Sequence, residues 1–205
     1  MGLGLGLTGL TLGVEGGVQY QNRHLLGNRV TSVADIAAFD AWLGAPSDII
    51  LQFCETGAGS STWSQNVSIV QQIAIDYAGI NKRWEWAIPL SSTTQAMSQT
   101  NAGTHDASIL QMLRDIAAFD KSDVILLRLG WEWNYLSAFP WSATASAGAK
   151  QDYYDAFRRV AGLIRSVSSR FKIQWVGAPQ QTDYLGTLVN PALYYPGNDV
   201  VDIIG

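Results

Sequence analysis

Residues 115–132 read DIAAFDKSDVILLRLGWE, and the order of features in that stretch decides the fold. An aspartate closes a helix-like segment, an apolar run follows, and Gly130 ends the run just before Trp131 and Glu132. The same six letters, DIAAFD, occur at 35–40 and again lead into an apolar run, SDIILQF at 47–53. Two helix–Asp–strand units 80 residues apart define one repeating architecture with a period of about 40 residues.

Working outward, continuous apolar runs stand near 48–54, 84–90, 123–129, 171–176 and 199–204, and an earlier one is expected within 11–20. Helical patterns fill the gaps. The clearest is QDYYDAFRRVAGLIRSV (151–167), where Tyr153, Phe157, Val160, Ala161, Ile164 and Val167 share one face. Gly44 is a stop for the helix that ends at Leu43. Strands that alternate with helices and are apolar on both faces form a parallel sheet.

A doubly wound sheet and a (β/α)8 barrel both satisfy that pattern. Polar and aromatic residues gather just after the strands: Glu55 and Trp63, then Pro89 and Ser91, then Glu132, then Pro179 and Gln180. Barrel enzymes keep their sites at that end of the strands, which favours the TIM-barrel type. No GxGxxG fingerprint sits at a strand-to-helix turn, which weakens a nucleotide-binding reading. About six strands are counted where a barrel needs eight. The expectation is therefore an incomplete barrel over residues 17–205, preceded by a Gly/Leu-rich leader at 1–16.

Composition narrows the functions. Of 205 residues, 47% are apolar and 15% charged, with a net charge of −4 and a pI near 5.0. No basic cluster exists to displace counterions, so no nucleic-acid partner is expected. No apolar run reaches the roughly 20 residues of a membrane span. The leader has no Lys or Arg before Arg23, unlike a secretory signal. Cys54 is alone, which excludes an intrachain disulfide. His24 and His105 are isolated, so neither a metal nor another cofactor is expected.

The strand at 123–129 leads into LLRLGWEWNYLSAFPW (126–141), where one carboxylate stands between two tryptophans. If the strand still runs there, Trp131 and Trp133 point to opposite sides. Apolar surroundings disfavour an ionised carboxylate. A carboxyl kept protonated near neutral pH is what a general acid at a glycosidic oxygen requires. Aromatic faces would stack on sugar rings, and Asn134 offers both a donor and an acceptor to hydroxyls. The competing structural role is a glutamate paired with Arg128 among core tryptophans.

RLGWEWNYLSAFPW resembles the fourth-strand motif of glycoside hydrolase family 26, the β-mannanase family. FDAWLGAPSDIILQF (39–53) followed by Trp63, and YYPGNDVVDIIG (194–205), resemble its first helix with second strand and its sixth strand. The resemblance implies a retaining glycosidase acting on β-linked polysaccharide, mannan or β-glucan, with Glu132 as acid/base. It implies that Arg128, Asn134 and Trp141 support that glutamate or contact substrate. Trp131, Tyr20, Trp63 and Trp175 join them as substrate-binding candidates on strand-end placement.

Two departures stand out. The mannanases carry His immediately before the catalytic Glu, where this chain has Trp131. Their nucleophile is a second Glu on the seventh strand, and the sequence stops after the sixth. The chain alone is thus expected to hydrolyse glycosides weakly or not at all. The alternatives are a noncatalytic carbohydrate-binding or surface protein, and an altered enzyme pairing Glu55 or Asp183 with Glu132. The family makes an extracellular location the expectation, while the leader leaves the compartment open.

Overall fold

A computed structural model describes residues 24–25, 33–55, 57, 59–136, 138–179 and 181–205. Six strands form one parallel sheet: β1 (His24–Leu25), β2 (Ile49–Phe53), β3 (Arg83–Ile88), β4 (Ile125–Leu129), β5 (Phe171–Trp175) and β6 (Ile203–Ile204). They pair in sequence order, β1-β2-β3-β4-β5-β6, each neighbour parallel to the last. Helices α1 (Val33–Leu43), α2 (Trp63–Asp76), α3 (Met97–Asn101), α4 (Asp106–Phe119) and α5 (Ala149–Val167) fill the crossovers up to β5. The result is an incomplete α/β barrel, as the alternating pattern implies. The strand expected within 11–20 and the leader at 1–16 lie outside the described residues. The first described strand is at 24–25, where it pairs with β2.

The repeated hexapeptide does the same work twice. Its isoleucine, Ile36 in α1 and Ile116 in α4, is the buried apolar residue of each copy. Its last aspartate holds the turn into the next strand. Asp40 accepts the Ser47 N–H at 2.8 Å and Asp120 accepts the Ser122 N–H at 2.9 Å. Lys82 at the foot of β3 adds a 2.7 Å ion pair to Asp40. The helix–Asp–strand pattern is a turn device that aims each strand into the sheet.

Register sorts the strand residues between two faces. Trp84, Trp86, Ile88, Leu127, Leu129 and Ile173 share the helix-facing side, where Trp84 and Trp86 pack on Phe119 of α4. Glu85, Ala87, Leu126, Arg128, Lys172 and Gln174 share the interior side. On that side Arg128 Nε lies 3.7 Å from Glu85 Oε1. β3, β4 and β5 are thus apolar outward and mixed inward, while β2 places Gln52 outward and Ile49, Leu51 and Phe53 inward, so the strands are not all apolar on both faces.

α5 buries Tyr153, Ala156, Phe157, Val160, Ala161 and Ile164, which matches the expected face, with Val167 half-buried. α2 begins with a capping box, Thr62 and Gln65 satisfying each other's backbone N–H. Gly44, at φ +73°, ends α1 with its N–H on Ala41 O. No α-helix joins β5 to β6. Residues 176–202 instead form a loop with a bridge between Thr182 and Leu188 and one 3-10 turn, Pro191–Leu193.

Candidate active site

Past β4 the chain is pinned on both sides. Gly130 N–H donates to Ile88 O and Glu132 N–H to Val176 O, both at 2.9 Å, so the segment hangs between the ends of β3 and β5. Gly130 has φ +53°, and a Cβ there would come 2.6 Å from Leu90 Cδ1, so only glycine fits. Glu132 also has φ +50°, the one non-glycine residue with positive φ among those described. A side chain in that left-handed conformation costs about 1–2 kcal/mol. The residue is half-buried at the carboxyl end of β4, and no hydrogen bond or ion pair among the described residues engages its carboxylate.

The two tryptophans do separate to opposite sides. Trp131 turns toward the interior face and packs edge-on to Phe53, Phe139 and Trp141 at 4.6–5.5 Å. Trp133 turns toward α5, stacking on Trp175 at 4.9 Å and Tyr194 at 5.0 Å, near Tyr153. Neither offers a face to solvent.

Most of the expected substrate contacts are occupied by packing. Trp131, Trp141, Trp63 and Trp175 are at most 5% exposed. Trp141 stacks on Phe139 and donates its indole N–H to Trp131 O at 2.9 Å, closing the loop after Glu132. Trp63 is the first residue of α2, buried beside His105. Asn134 is spent on backbone: its amide donates to Ala178 O at 2.7 Å and accepts the Ala178 N–H at 2.6 Å. It ties the β4 loop to the β5 loop instead of meeting sugar hydroxyls. Arg128 faces the interior and pairs with Glu85, not Glu132. Tyr20 lies outside the described residues. Among the described candidates, Trp131, Trp141 and Asn134 fix the loop that carries Glu132.

The carboxylates weighed as partners are also committed. Glu55 is 2% exposed and accepts the backbone N–H groups of Gly57, Gly59 and Ser60. Burial raises its pKa, and those three hydrogen bonds pull the other way. Its loop lies directly under the Glu132 loop, since a Cβ on Gly59 would strike Pro140. Asp183 caps a turn, accepting from Leu185 N and Thr187 N at 2.9 Å. Both are loop anchors.

Two aromatics on the loops after β4 and β5 are exposed and were not singled out from the sequence. Tyr135, 44% exposed, follows Glu132 in a turn closed by its N–H on Glu132 O. Tyr184, 45% exposed, sits on the 182–188 hairpin, whose backbone reaches the β4 loop through the Tyr184 N–H on Thr144 O at 3.0 Å. An aromatic inside the turn-forming stretch TDYLGT was its signal.

A separate depression lined by Ser47, Lys82, Arg83, Asp120 and Ser122 lies at the opposite, amino-terminal ends of the strands. Lys82 there is already engaged by Asp40 and Ser47. In a barrel that end serves stability. Among the described residues no three His, Cys, Asp or Glu side chains group as metal ligands, and no helix is long and apolar enough to cross a membrane.

The sheet and its crossovers define an incomplete α/β barrel with an unengaged carboxylate at the end of β4. Comparison with solved structures gives that class its particulars. The chain superposes on a Bacillus subtilis mannanase with TM-score 0.60 and 14% identity, covering 85% of this chain and 58% of that one. It matches the YdhT protein from Bacillus subtilis with TM-score 0.62 and 13% identity, over 89% of this chain and 59% of that one. The family 26 domain of a Prevotella bryantii endo-β-mannanase/endo-β-glucanase gives 0.54 and 14%, over 91% and 67%. At such identities the likeness is one of fold, and the chain spans about three fifths of the length of the first two. No protein-family profile matches the sequence, nor does any curated protein.

Proposed function

We propose that this chain carries the acid/base half of a retaining glycoside hydrolase acting on β-linked polysaccharide, mannan or β-glucan, with Glu132 as the acid/base. The observation that carries the reading is the glutamate itself. It is held in a left-handed backbone at the carboxyl end of β4, its carboxylate unengaged among the described residues while the Asn134 amide and Arg128 beside it are committed elsewhere. Backbone strain kept at a strand end in a barrel mouth is a mark of a functional residue.

In this reading the Glu132 carboxyl donates its proton to the glycosidic oxygen as that bond breaks. As carboxylate it then takes a proton from the water that releases the glycosyl intermediate. The Gly130 turn, the Trp131–Trp141 bond and the Asn134–Ala178 clamp fix where the carboxyl stands. The nucleophile needs to lie about 5–5.5 Å across the bond. The family places it on a seventh strand, which has no counterpart among the six strands described.

The test is hydrolysis of β-mannan and mixed-linkage β-glucan by the full-length protein and its Glu132→Gln variant. Loss of an acid/base should lower kcat/KM by about 10²–10⁴. An aryl glycoside with a good leaving group, which needs no proton, should restore the first step. Undiminished hydrolysis of the polysaccharide by Glu132→Gln would remove Glu132 from the mechanism.

A further inference from the structure

The buried carboxyl at the end of β2 has a task of its own. We propose that Glu55 is a positioning residue for Glu132: by gathering the turn 57–60 onto its carboxylate, it sets the wall against which the Glu132 loop takes its left-handed form. This rests on the acid/base role proposed for Glu132 and adds to it the residue that holds that acid in place.

The chain of contacts starts at Glu55 itself. It is buried, and the backbone N–H groups of Gly57, Gly59 and Ser60 converge on it. Gly57 at φ +145° and Gly59 at φ +78° let the turn wrap around one side chain. A carboxylate accepts at both oxygens, so three donors can share it. An amide in its place would offer one oxygen and set its NH2 against backbone N–H groups, and the turn would have to open.

Gly59 passes the position on. It lies so close to the Glu132 loop that a Cβ would come 2.5 Å from Pro140 Cγ and 3.2 Å from the Trp141 ring. Its carbonyl accepts the Thr93 N–H at 2.8 Å, which braces the turn from the β3 side. Trp141, set against Gly59, donates its indole N–H to Trp131 O at 2.9 Å. That carbonyl belongs to the same planar peptide as the Glu132 N–H, which donates to Val176 O at 2.9 Å. One peptide unit is thus gripped on both sides, immediately before the Glu132 Cα whose φ is +50°. Burying a carboxyl is costly for a turn that only has to lead from β2 to α2. Here the outer side of that turn is the surface on which Pro140 and Trp141 rest.

The experiment uses the full-length protein with two substrates. One is β-mannan or mixed-linkage β-glucan; the other is a dinitrophenyl β-glycoside of the same sugar, whose leaving group departs without a proton. Glu55→Gln should lower kcat/KM on the polysaccharide about tenfold, since a small misplacement of a reacting group is felt that strongly. On the dinitrophenyl glycoside it should stay within about twofold of wild type, because proton donation is the step a displaced Glu132 loses. Pro140→Ala keeps the Glu55 turn and removes the ring it braces. It should show the same contrast, with a loss of about fivefold on the polysaccharide, and it decides the matter if Glu55→Gln does not fold. Equal losses on the two substrates would make Glu55 a part of the fold alone and overturn the proposal. If Glu132→Gln is inactive on the polysaccharide while Glu55→Gln and Pro140→Ala act on it like wild type, the positioning role is wrong and the acid/base reading stands. If Glu132→Gln keeps full activity, the acid/base reading fails first and the positioning role falls with it.

Discussion

Replacing Glu132 separates backbone strain from chemistry. The residue sits at φ +50°, where a Cβ costs about 1–2 kcal/mol. Glycine removes that cost but adds about 0.5–1 kcal/mol of unfolded-chain entropy. The carboxylate makes no hydrogen bond among the described residues, so its loss subtracts little. Glu132→Gly is therefore expected to be more stable than wild type by about 0.5–1 kcal/mol. Glu132→Asn, a residue that tolerates the left-handed region, should fall between. Glu132→Gln should match wild type to within about 0.3 kcal/mol, because its backbone preference is the same. Urea unfolding followed by tryptophan fluorescence, fitted with a common slope, measures the series. The gain corresponds to about 1–4 °C in Tm for a chain of this size. All three substitutions should remove hydrolysis in the full-length protein. A Glu132→Gly variant less stable than wild type by more than about 0.5 kcal/mol would refute the argument, since the side chain would then be holding the loop.

Three further outcomes follow from the same geometry. Asn134→Ala takes the side-chain partner from the half-buried Ala178 N–H and C=O, so it should cost about 1–2 kcal/mol in the same unfolding assay. Arg128→Met removes the cation 3.7 Å from Glu85 in the barrel interior and should lower stability, with part of the loss regained in the Glu85→Gln, Arg128→Met double variant. Glu55 has a folded pKa raised by burial, so its contribution to stability is complete below the ordinary glutamate pKa and declines as pH rises through the raised value. Urea midpoints of wild type and Glu55→Gln between pH 4 and about 7 should therefore move in favour of the variant as pH increases.

The fold was legible wherever periodicity and turn chemistry agreed. The four central strands fall within two residues of the apolar runs at 48–54, 84–90, 123–129 and 171–176, and for β2 and β4 the aspartate that closes the preceding helix also marks the start. The β5–β6 connection was not legible. Its 182–188 hairpin and 3-10 turn stand where a crossover helix was expected, and only the assembled barrel shows that they pack on Thr144 and Trp133 of the β4 loop. The site was readable as a position and not as a set of contacts. Asn134 and Arg128 carry the groups that bind sugars, yet backbone and a neighbouring strand claim them first.

The tripeptide WEW shows why residue type alone could not decide. It occurs at 84–86 and at 131–133. In β3 it obeys strand alternation: Trp84 and Trp86 face α4, and Glu85 points inward to Arg128. After β4 the same letters follow Gly130, whose positive φ breaks the ladder and lets Glu132 enter a left-handed turn. Both copies still send their tryptophans into packing, so the aromatic neighbours do not distinguish them. What distinguishes them is the glycine one residue before the second copy and the Leu90 side chain that fills the space a Cβ would need. One glutamate is thereby a structural ion-pair partner and the other a carboxylate with nothing to hold. Gly130→Ala should convert the second toward the first, by forcing the strand to continue and drawing Glu132 out of the mouth.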